Sequence, residues 1–144
     1  MNERRAIGVT YALEGAWIVV AALLAASTLS ADPDAALTVG WLGVLAVLLG
    51  RMLWLGRLRA GRYGDLGAPT TYARRGASRA ELVLTILTVL AFAAIVFLRE
   101  DGAITTTGVL VGAALFAVVG VVRITEFRRV LHSATAGGST NRNP

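Results

Sequence analysis

Long apolar runs dominate the pattern of hydrophobic and polar positions along this 144-residue chain. Four windows have the length that a helix needs to cross a bilayer core about 30 Å thick. They are residues 7–28, 35–55, 80–98 and 103–122. None alternates as a barrel strand does, and hydrocarbon offers no partner for free backbone groups, so each window predicts a helix. The predicted fold class is therefore an all-α integral membrane protein with four transmembrane helices.

Short links join these windows in pairs. The turn-forming stretch SADPDAA separates the first two windows, and REDG separates the last two, so the pattern predicts two antiparallel hairpins. The middle connection, residues 56–79, is longer and contains many Gly and Arg residues and a Pro, which predicts a poorly structured loop. We expect an N-terminal segment at 1–6, a transmembrane domain at 7–132 and a disordered tail at 133–144.

The distribution of arginine predicts the orientation in the membrane. All 14 basic residues are Arg, and the net charge is +5. On one side of the predicted bundle only Arg99 occurs, whereas the N-terminal segment, the middle loop and the tail carry many arginines. Because cytoplasmic loops are enriched in positive charge, we expect both termini and the middle loop in the cytoplasm. The expected location is the cell membrane, with several spans.

Residues 1–27 have a second interpretation, as a cleaved signal peptide. Arg4 and Arg5 precede an apolar run, and Ala25-Ala26-Ser27 resembles a cleavage site. The apolar run is longer than that of a typical signal peptide and it contains Glu14, so we favour a retained first span.

The middle loop predicts a contact surface. Arginine near an anionic leaflet contributes about 1 kcal/mol per residue, so the loop should bind anionic lipid headgroups or an acidic partner protein. Its arginines are Arg57, Arg59, Arg62, Arg74, Arg75 and Arg79. Membrane placement accounts for these charges, and we therefore expect no nucleic acid as a partner.

One carboxylate, Glu14, lies inside the first window, in TYALEGAWIVVAALL. Its depth of about 10 Å from the start of the window matches that of Arg51 counted from the end of the second window. Because a charge inside a membrane needs a partner, we predict an intramembrane pair of Glu14 and Arg51. Two interpretations stay open, a lock on helix register and a proton or cation site.

Two further sets of residues predict contacts between helices. Glu81, Thr85 and Thr88 recur at helical spacing and predict, with Arg123, a polar layer at the cytoplasmic end. Small residues predict close helix packing, within one chain, in a homo-oligomer or with another membrane protein; they are Gly43, Gly50, Gly108, Gly112 and Gly120. Similar glycine and arginine patterns in the second and fourth windows also suggest a duplicated hairpin.

Residues for familiar catalytic chemistry are scarce. The chain contains no Cys and a single histidine, His132, so it lacks the sets needed for a metal cluster, a pair of haem ligands or a Ser-His-Asp triad. It has no phosphate-binding glycine motif after a strand. We therefore expect no cofactor, no metal and no enzymatic activity. A lipid-acting enzyme built on Glu14 and Arg51 is a third hypothesis, but two residues do not specify a reaction.

The leading expectation is a small non-enzymatic membrane protein that acts as an accessory, scaffold or assembly subunit. The alternative is a small oligomeric proton-coupled transporter that uses Glu14. Four short spans with an acidic residue in the first, in ALEGAW, are similar to the small multidrug resistance exporters, whose glutamate exchanges protons for organic cations. The third window, ELVLTILTVLAFAAIVFL, lacks the glycine-containing kink of that family, and the middle loop is longer than the family's connections.

Overall fold

The computed structural model describes residues 1–75, 83–84, 86–91, 93, 99–100 and 103–137. Helix α1 comprises Glu3–Ser27, α2 comprises Pro33–Arg59, α3 comprises Ala68–Arg74 and α4 comprises Thr106–Gly137. Residues 83–84, 86–91 and 93 are also helical. Strand β1, Arg99–Glu100, pairs antiparallel with β2, Ala103–Ile104. Apart from this two-residue pairing, the regular secondary structure of the described residues is helical, as the sequence predicted.

Three helices, α1, α2 and α4, are long and apolar enough to cross a membrane by length and composition. Large apolar side chains cover their outer faces; Val19 is 59% exposed, Leu42 61% and Met52 69%. A continuous apolar surface of this kind suits hydrocarbon better than water. Of the predicted third span, residues 80–82, 85, 92 and 94–98 lie outside the described residues.

Side-chain caps fix where the first two helices begin. The Asn2 Oδ1 atom accepts a hydrogen bond of 3.0 Å from the backbone N–H of Arg5. At the start of α2, the Asp32 Oδ1 atom accepts one of 3.1 Å from the N–H of Ala35. Each bond satisfies a backbone donor that has no partner within its own helix. The SADPDAA stretch thus supplies the turn and the cap between the two helices.

Helix α1 runs antiparallel to α2. Leu24, near the end of α1, packs against Gly40, near the start of α2, while Leu13 packs against Gly50 in the second half of α2. A methyl group at Gly40 would lie 2.6 Å from Leu24 Cδ2, so this glycine permits a close approach that the sequence analysis did not single out. Gly43 contacts the same face of α1. Small residues therefore line the contact between these helices.

Helix α4 also runs antiparallel to α1. The Trp17 ring stacks on the Phe116 ring with centroids 5.6 Å apart, and nearer the start of α1 the Tyr11 ring meets the Phe127 ring at 4.9 Å. The N-terminal end of α1 therefore lies beside the C-terminal ends of both α2 and α4. Helix α3 packs against all three helices there, and we call this side of the bundle the α3 end.

The predicted glycines of α4 lie in buried positions. A methyl group at Gly120 would lie 2.8 Å from Ile18 Cγ1, 3.0 Å from Trp17 Cβ and 3.2 Å from the Ile18 backbone nitrogen. Carbon atoms do not approach so closely, so α1 and α4 can touch at this point only because the residue is glycine. Gly108 and Gly112 are buried along the same helix.

The helices extend beyond the predicted spans at the α3 end. Helix α4 continues to Gly137 rather than ending at 122, and the prediction of a disordered tail from 133 was wrong for residues 133–137. The physical reason is that Phe127 and Val130 continue the apolar helical spacing and are buried. Residues 138–144 of the predicted tail lie outside the described residues. Helices α1 and α2 are longer for the same reason, since Ala6 and Leu58 are buried.

Candidate functional site

The candidate site is centred on Glu14, which lies on the buried face of α1 together with Thr10 and Trp17. Only 1% of Glu14 is exposed. Toward the α3 end lies a cluster of apolar side chains that includes Phe127, and in the other direction lies the main apolar core. A carboxylate buried between apolar clusters requires charged or hydrogen-bonding partners. The other three described helices supply them.

Arg51 of α2 is the first partner of Glu14. Its Nε atom donates to both carboxylate oxygens, at 2.9 Å to Oε1 and 3.2 Å to Oε2. The side chain of Arg51 is 14% exposed, so the guanidinium lies between the buried carboxylate and the bundle surface. The structure therefore brings together the two residues that the sequence analysis paired by depth. Such charge-assisted bonds are stronger than bonds between neutral groups.

Tyr72 of α3 is a partner that the sequence analysis missed. Its hydroxyl donates to Glu14 Oε1 at 3.1 Å. The ring is buried and meets the Phe127 ring of α4 edge-on, with centroids 5.1 Å apart. We had considered Tyr72 only as part of a poorly structured loop, although the apolar spacing of Ala68, Tyr72 and Ala73 was a signal for a short helix with one buried face.

The surroundings of Tyr72 keep its hydroxyl protonated. Burial raises the pKa of this phenol above its ordinary value, and the negative charge of Glu14 raises it further. Arg51 and Arg123 act in the opposite direction, but burial is the larger cause. Tyr72 is therefore a stable hydrogen-bond donor to Glu14 at physiological pH.

Arg123 of α4 completes the described surroundings of the carboxylate. It is 4% exposed, and its Nε atom lies 3.9 Å from Glu14 Oε2, which is an ion-pair distance but longer than a hydrogen bond. We had predicted Arg123 in a polar layer with Glu81, Thr85 and Thr88. Glu81 and Thr85 lie outside the described residues, and the Thr88 hydroxyl donates to the Leu84 carbonyl of its own helix at 2.8 Å.

A second polar contact lies one helical turn from Glu14, toward the α3 end. The indole Nε1 of Trp54 in α2 donates to the Thr10 hydroxyl at 3.1 Å. That hydroxyl in turn donates to the Ala6 carbonyl at 2.8 Å. This chain of two bonds joins α1 and α2 without any charge, and no sequence motif indicated it.

Local hydrogen bonds shape the segment between α2 and α3. The Asp65 side chain accepts from the Gly67 N–H at 2.9 Å, and the Thr70 hydroxyl accepts from the Leu66 N–H at 3.1 Å. Gly67 has a φ of +67°, which glycine adopts without strain. The prediction of a poorly structured loop was therefore wrong for residues 56–75, because short-range polar contacts and burial of the α3 face order this segment.

Most of the predicted contact arginines lie on the outside of the α3 end. Arg59 is exposed, and its Nε donates to the Ala73 carbonyl, which fastens the end of α2 to α3. Arg79 lies outside the described residues. The others are exposed, namely Arg57, Arg62, Arg74 and Arg75. We refer to these four residues as the arginine surface.

The chemistry of the site is ionic and hydrogen-bonding. Glu14 offers two acceptor oxygens, Arg51 and Arg123 bring positive charge, and Tyr72 brings one hydroxyl donor. In the part of the chain that the structure describes, no three His, Cys, Asp or Glu side chains are grouped so that they could hold a metal ion. The arrangement joins four helices through one carboxylate.

Comparison with protein-family models, with curated proteins and with solved structures finds no match to this chain.

Proposed function

We propose that the chain is a small non-enzymatic integral membrane protein that presents its arginine surface at the inner face of the cell membrane. In this role it acts as an accessory, scaffold or assembly subunit that contacts anionic lipid or an acidic partner. The observation that carries the proposal is the link between Glu14, inside the bundle, and Tyr72, on the helix next to the arginines. The hydrogen bond between Tyr72 and the intramembrane carboxylate of Glu14 thereby holds α3, and with it part of the arginine surface, against the bundle.

The occupancy of the carboxylate favours this structural role. Arg51 contacts both oxygens of Glu14, Tyr72 contacts Oε1, and Arg123 lies nearest Oε2. A transported cation would have to displace these groups from a carboxylate that is 1% exposed. The geometry therefore supports a structural role for Glu14, which fixes the helix register and the position of α3. It gives less support to the alternative, a proton-coupled transporter that uses Glu14.

The path of the chain supports a fourth span. The last residues of α2 and α3 lie on the side of the bundle that we call the α3 end, whereas α4 begins on the opposite side. The chain between Arg74 and Thr106 therefore has to cross the bundle. Helical residues lie along this stretch, and Leu84 and Ala91 are buried in the main core. We propose that this stretch contains the remaining transmembrane helix, which gives two antiparallel hairpins.

The charge distribution supports the orientation. The arginine surface lies at the α3 end, where α1 begins and α4 ends. By the positive-inside rule, this end faces the cytoplasm together with both termini.

Because the chain has no native cysteine, single-cysteine variants provide a direct test of this topology. We expect a membrane-impermeant maleimide to label Ser30→Cys on intact cells, and to label Thr71→Cys and Ser133→Cys only after permeabilisation. Labelling of Ser133→Cys from outside would contradict the orientation.

The accessory role is tested by what remains bound to the full chain after purification in mild detergent. We expect a stoichiometric acidic partner or anionic lipid to be retained by the wild type and lost when Arg57, Arg62, Arg74 and Arg75 are all replaced by Gln. An Arg4→Gln, Arg5→Gln variant is the control, because it removes charge from the same end but outside the arginine surface. Equal loss in both variants, or nothing retained by the wild type, would count against the proposal.

A further inference from the structure

The last turn of α2 brings the backbones of Arg57 and Arg62 together. Gly61 has a φ of +66°. The Arg62 N–H donates to the Arg57 carbonyl at 3.3 Å, and the Gly61 N–H donates to the Leu58 carbonyl at 3.2 Å. These two bonds define a Schellman motif, in which the residue after the glycine returns toward the residue three positions before the cap. Many helices place an apolar pair at these positions, whereas this chain places Arg57 and Arg62 there.

Both arginines line an open groove of about 300 Å³. The rest of its lining is apolar and comes from the last turns of α2 and from its C-cap residue. Met52 and Leu53 are 69% and 61% exposed. A methyl group at Gly56 would meet no atom within 4 Å, so this glycine leaves the middle of the groove open. The residues other than the two arginines are Met52, Leu53, Gly56 and Ala60.

The positive charges of Arg57 and Arg62 favour the binding of an anion in the groove. Among the described residues, neither Arg57 nor Arg62 makes a side-chain hydrogen bond or an ion pair. The C-terminal end of a helix carries about half a negative charge, which is small against two guanidinium groups. Like charges held together by the backbone repel, and a phosphate that accepts hydrogen bonds from both relieves that repulsion.

We propose that this groove binds one anionic phospholipid, with an acyl chain along Met52, Leu53 and Gly56 and the phosphate between Arg57 and Arg62. The helical rise places Leu53 about 6 Å below Arg57 along the axis, so a single amphipathic molecule can contact both parts. A free phosphate would leave the apolar part of the groove without a ligand. The inference rests on the proposed membrane placement, in which Arg57 lies at headgroup level on the inner side.

The experiment is native mass spectrometry of the full chain, released from nanodiscs that contain equal amounts of phosphatidylcholine and phosphatidylglycerol. We expect one phosphatidylglycerol molecule to be retained preferentially by the wild type. Each nearby arginine contributes about fivefold to binding of an anionic headgroup, so the Arg57→Gln, Arg62→Gln variant should lose about 25-fold in preference. The Arg4→Gln, Arg5→Gln variant removes the same charge from the α3 end, outside both the groove and the arginine surface, and should keep the preference.

The apolar part of the groove has its own variant. Gly56→Leu fills the open space without changing any charge, and we expect it to weaken retention of the lipid. Gly8→Leu is the matched control, because a methyl group at Gly8 also meets no atom within 4 Å. Equal effects of Gly56→Leu and Gly8→Leu, or of the two arginine variants, would overturn the specific site and leave only general surface attraction.

Soluble phosphate separates the two sources of the anion. We expect millimolar inorganic phosphate or glycerol 3-phosphate to leave the retained lipid in place, and displacement by either would overturn the assignment to a phospholipid. This experiment tests the groove separately from the capture of a protein partner. A partner that is captured while the lipid preference is absent rejects this inference alone, whereas a retained lipid with an outward-facing α3 end rejects the proposed orientation.

Discussion

Tyr72 donates its hydroxyl to Oε1 of Glu14 at 3.1 Å, across 58 positions of sequence. This bond joins a short helix outside the spans to a carboxylate inside the bundle. The same carboxylate accepts from Arg51, so the position of α3 depends on an ion pair between the two long apolar helices α1 and α2. The position of Arg74 and Arg75, at the end of α3, therefore follows from that pair.

Replacement of Tyr72 by Phe should loosen α3 while the membrane helices stay folded. The variant keeps the ring contact with Phe127 but loses one hydrogen bond to a charged group, which is worth about 1.5–3 kcal/mol. Limited proteolysis of the protein in nanodiscs should then cleave residues 60–75 faster than in the wild type. Tyr63→Phe is the control, since the Tyr63 hydroxyl has no hydrogen bond within the described residues. Equal cleavage of all three proteins would show that the bond does not hold α3.

The pair of Glu14 and Arg51 should behave as a coupled unit in a double-mutant cycle. Removal of either partner leaves the other charge in a buried site and should cost about 3–5 kcal/mol in the free energy of unfolding. The variant Glu14→Leu, Arg51→Met removes both charges and should recover part of that loss. The midpoint of SDS-induced unfolding measures all four proteins. Strictly additive effects would mean that the two side chains do not interact.

Substitution of Gly120 should break the contact between α1 and α4. A methyl group there would lie 2.8 Å from Ile18 Cγ1 and 3.2 Å from the Ile18 backbone nitrogen, so Gly120→Ala should destabilise the protein by about 1–3 kcal/mol through overpacking. Gly8→Ala introduces the same methyl group on α1 into open space and should be neutral or stabilising. Thermal unfolding in detergent compares the two variants. Equal melting temperatures would contradict the close approach of the helices.

Because the pKa of Tyr72 is raised, part of the protein's stability should be lost at alkaline pH. Because the folded protein holds the phenolic proton more tightly than the unfolded chain, whose tyrosine pKa is about 10, this contribution is complete below that pH. It declines as the pH rises above about 10. The difference in stability between the wild type and Tyr72→Phe should therefore be constant up to about pH 10 and shrink between about pH 10 and pH 12. A constant difference would show that the phenol is not perturbed.

Glu14→Gln separates a structural role from transport. We expect wild-type protein in liposomes to show no proton-coupled flux of organic cations, and we expect the variant to unfold at a lower temperature because the ion pair with Arg51 is lost. Flux by the wild type that disappears in Glu14→Gln, in a variant of unchanged stability, would favour the transporter instead.

The sequence was sufficient for the helical fold and for the pairing of Glu14 with Arg51. Hydrophobic length marked the spans, and a charge at similar depth on each of two antiparallel helices left few other partners. The helix ends were predicted less well, because we bounded each span by hydrocarbon thickness. Phe127 and Val130 continue the apolar spacing of α4 past that limit, where they pack on protein rather than lipid.

Tyr72 and Arg123 illustrate what was missed at the site. The position of Tyr72 depends on the fold of the segment after α2, which rests on local bonds such as that from Leu66 N–H to Thr70. The segment is rich in glycine and arginine, and this composition gave no indication of those bonds. The approach of Arg123 to Glu14 was not predicted, since depth along the membrane normal does not tell which helix face meets which neighbour. The predicted layer with Glu81 stays a prediction, because Glu81 lies outside the described residues.

The Phe127 ring, which contacts both Tyr11 and Tyr72, has a consequence for how the protein is made. Because α3 is synthesised before α4, the Tyr72 ring of the nascent chain cannot pack against Phe127 until the last turns of α4 have emerged from the ribosome. A chain arrested after 122 would insert its helices yet leave that phenol without its aromatic neighbour. Packing around Tyr72 at the α3 end is therefore completed only after α4 has been synthesised.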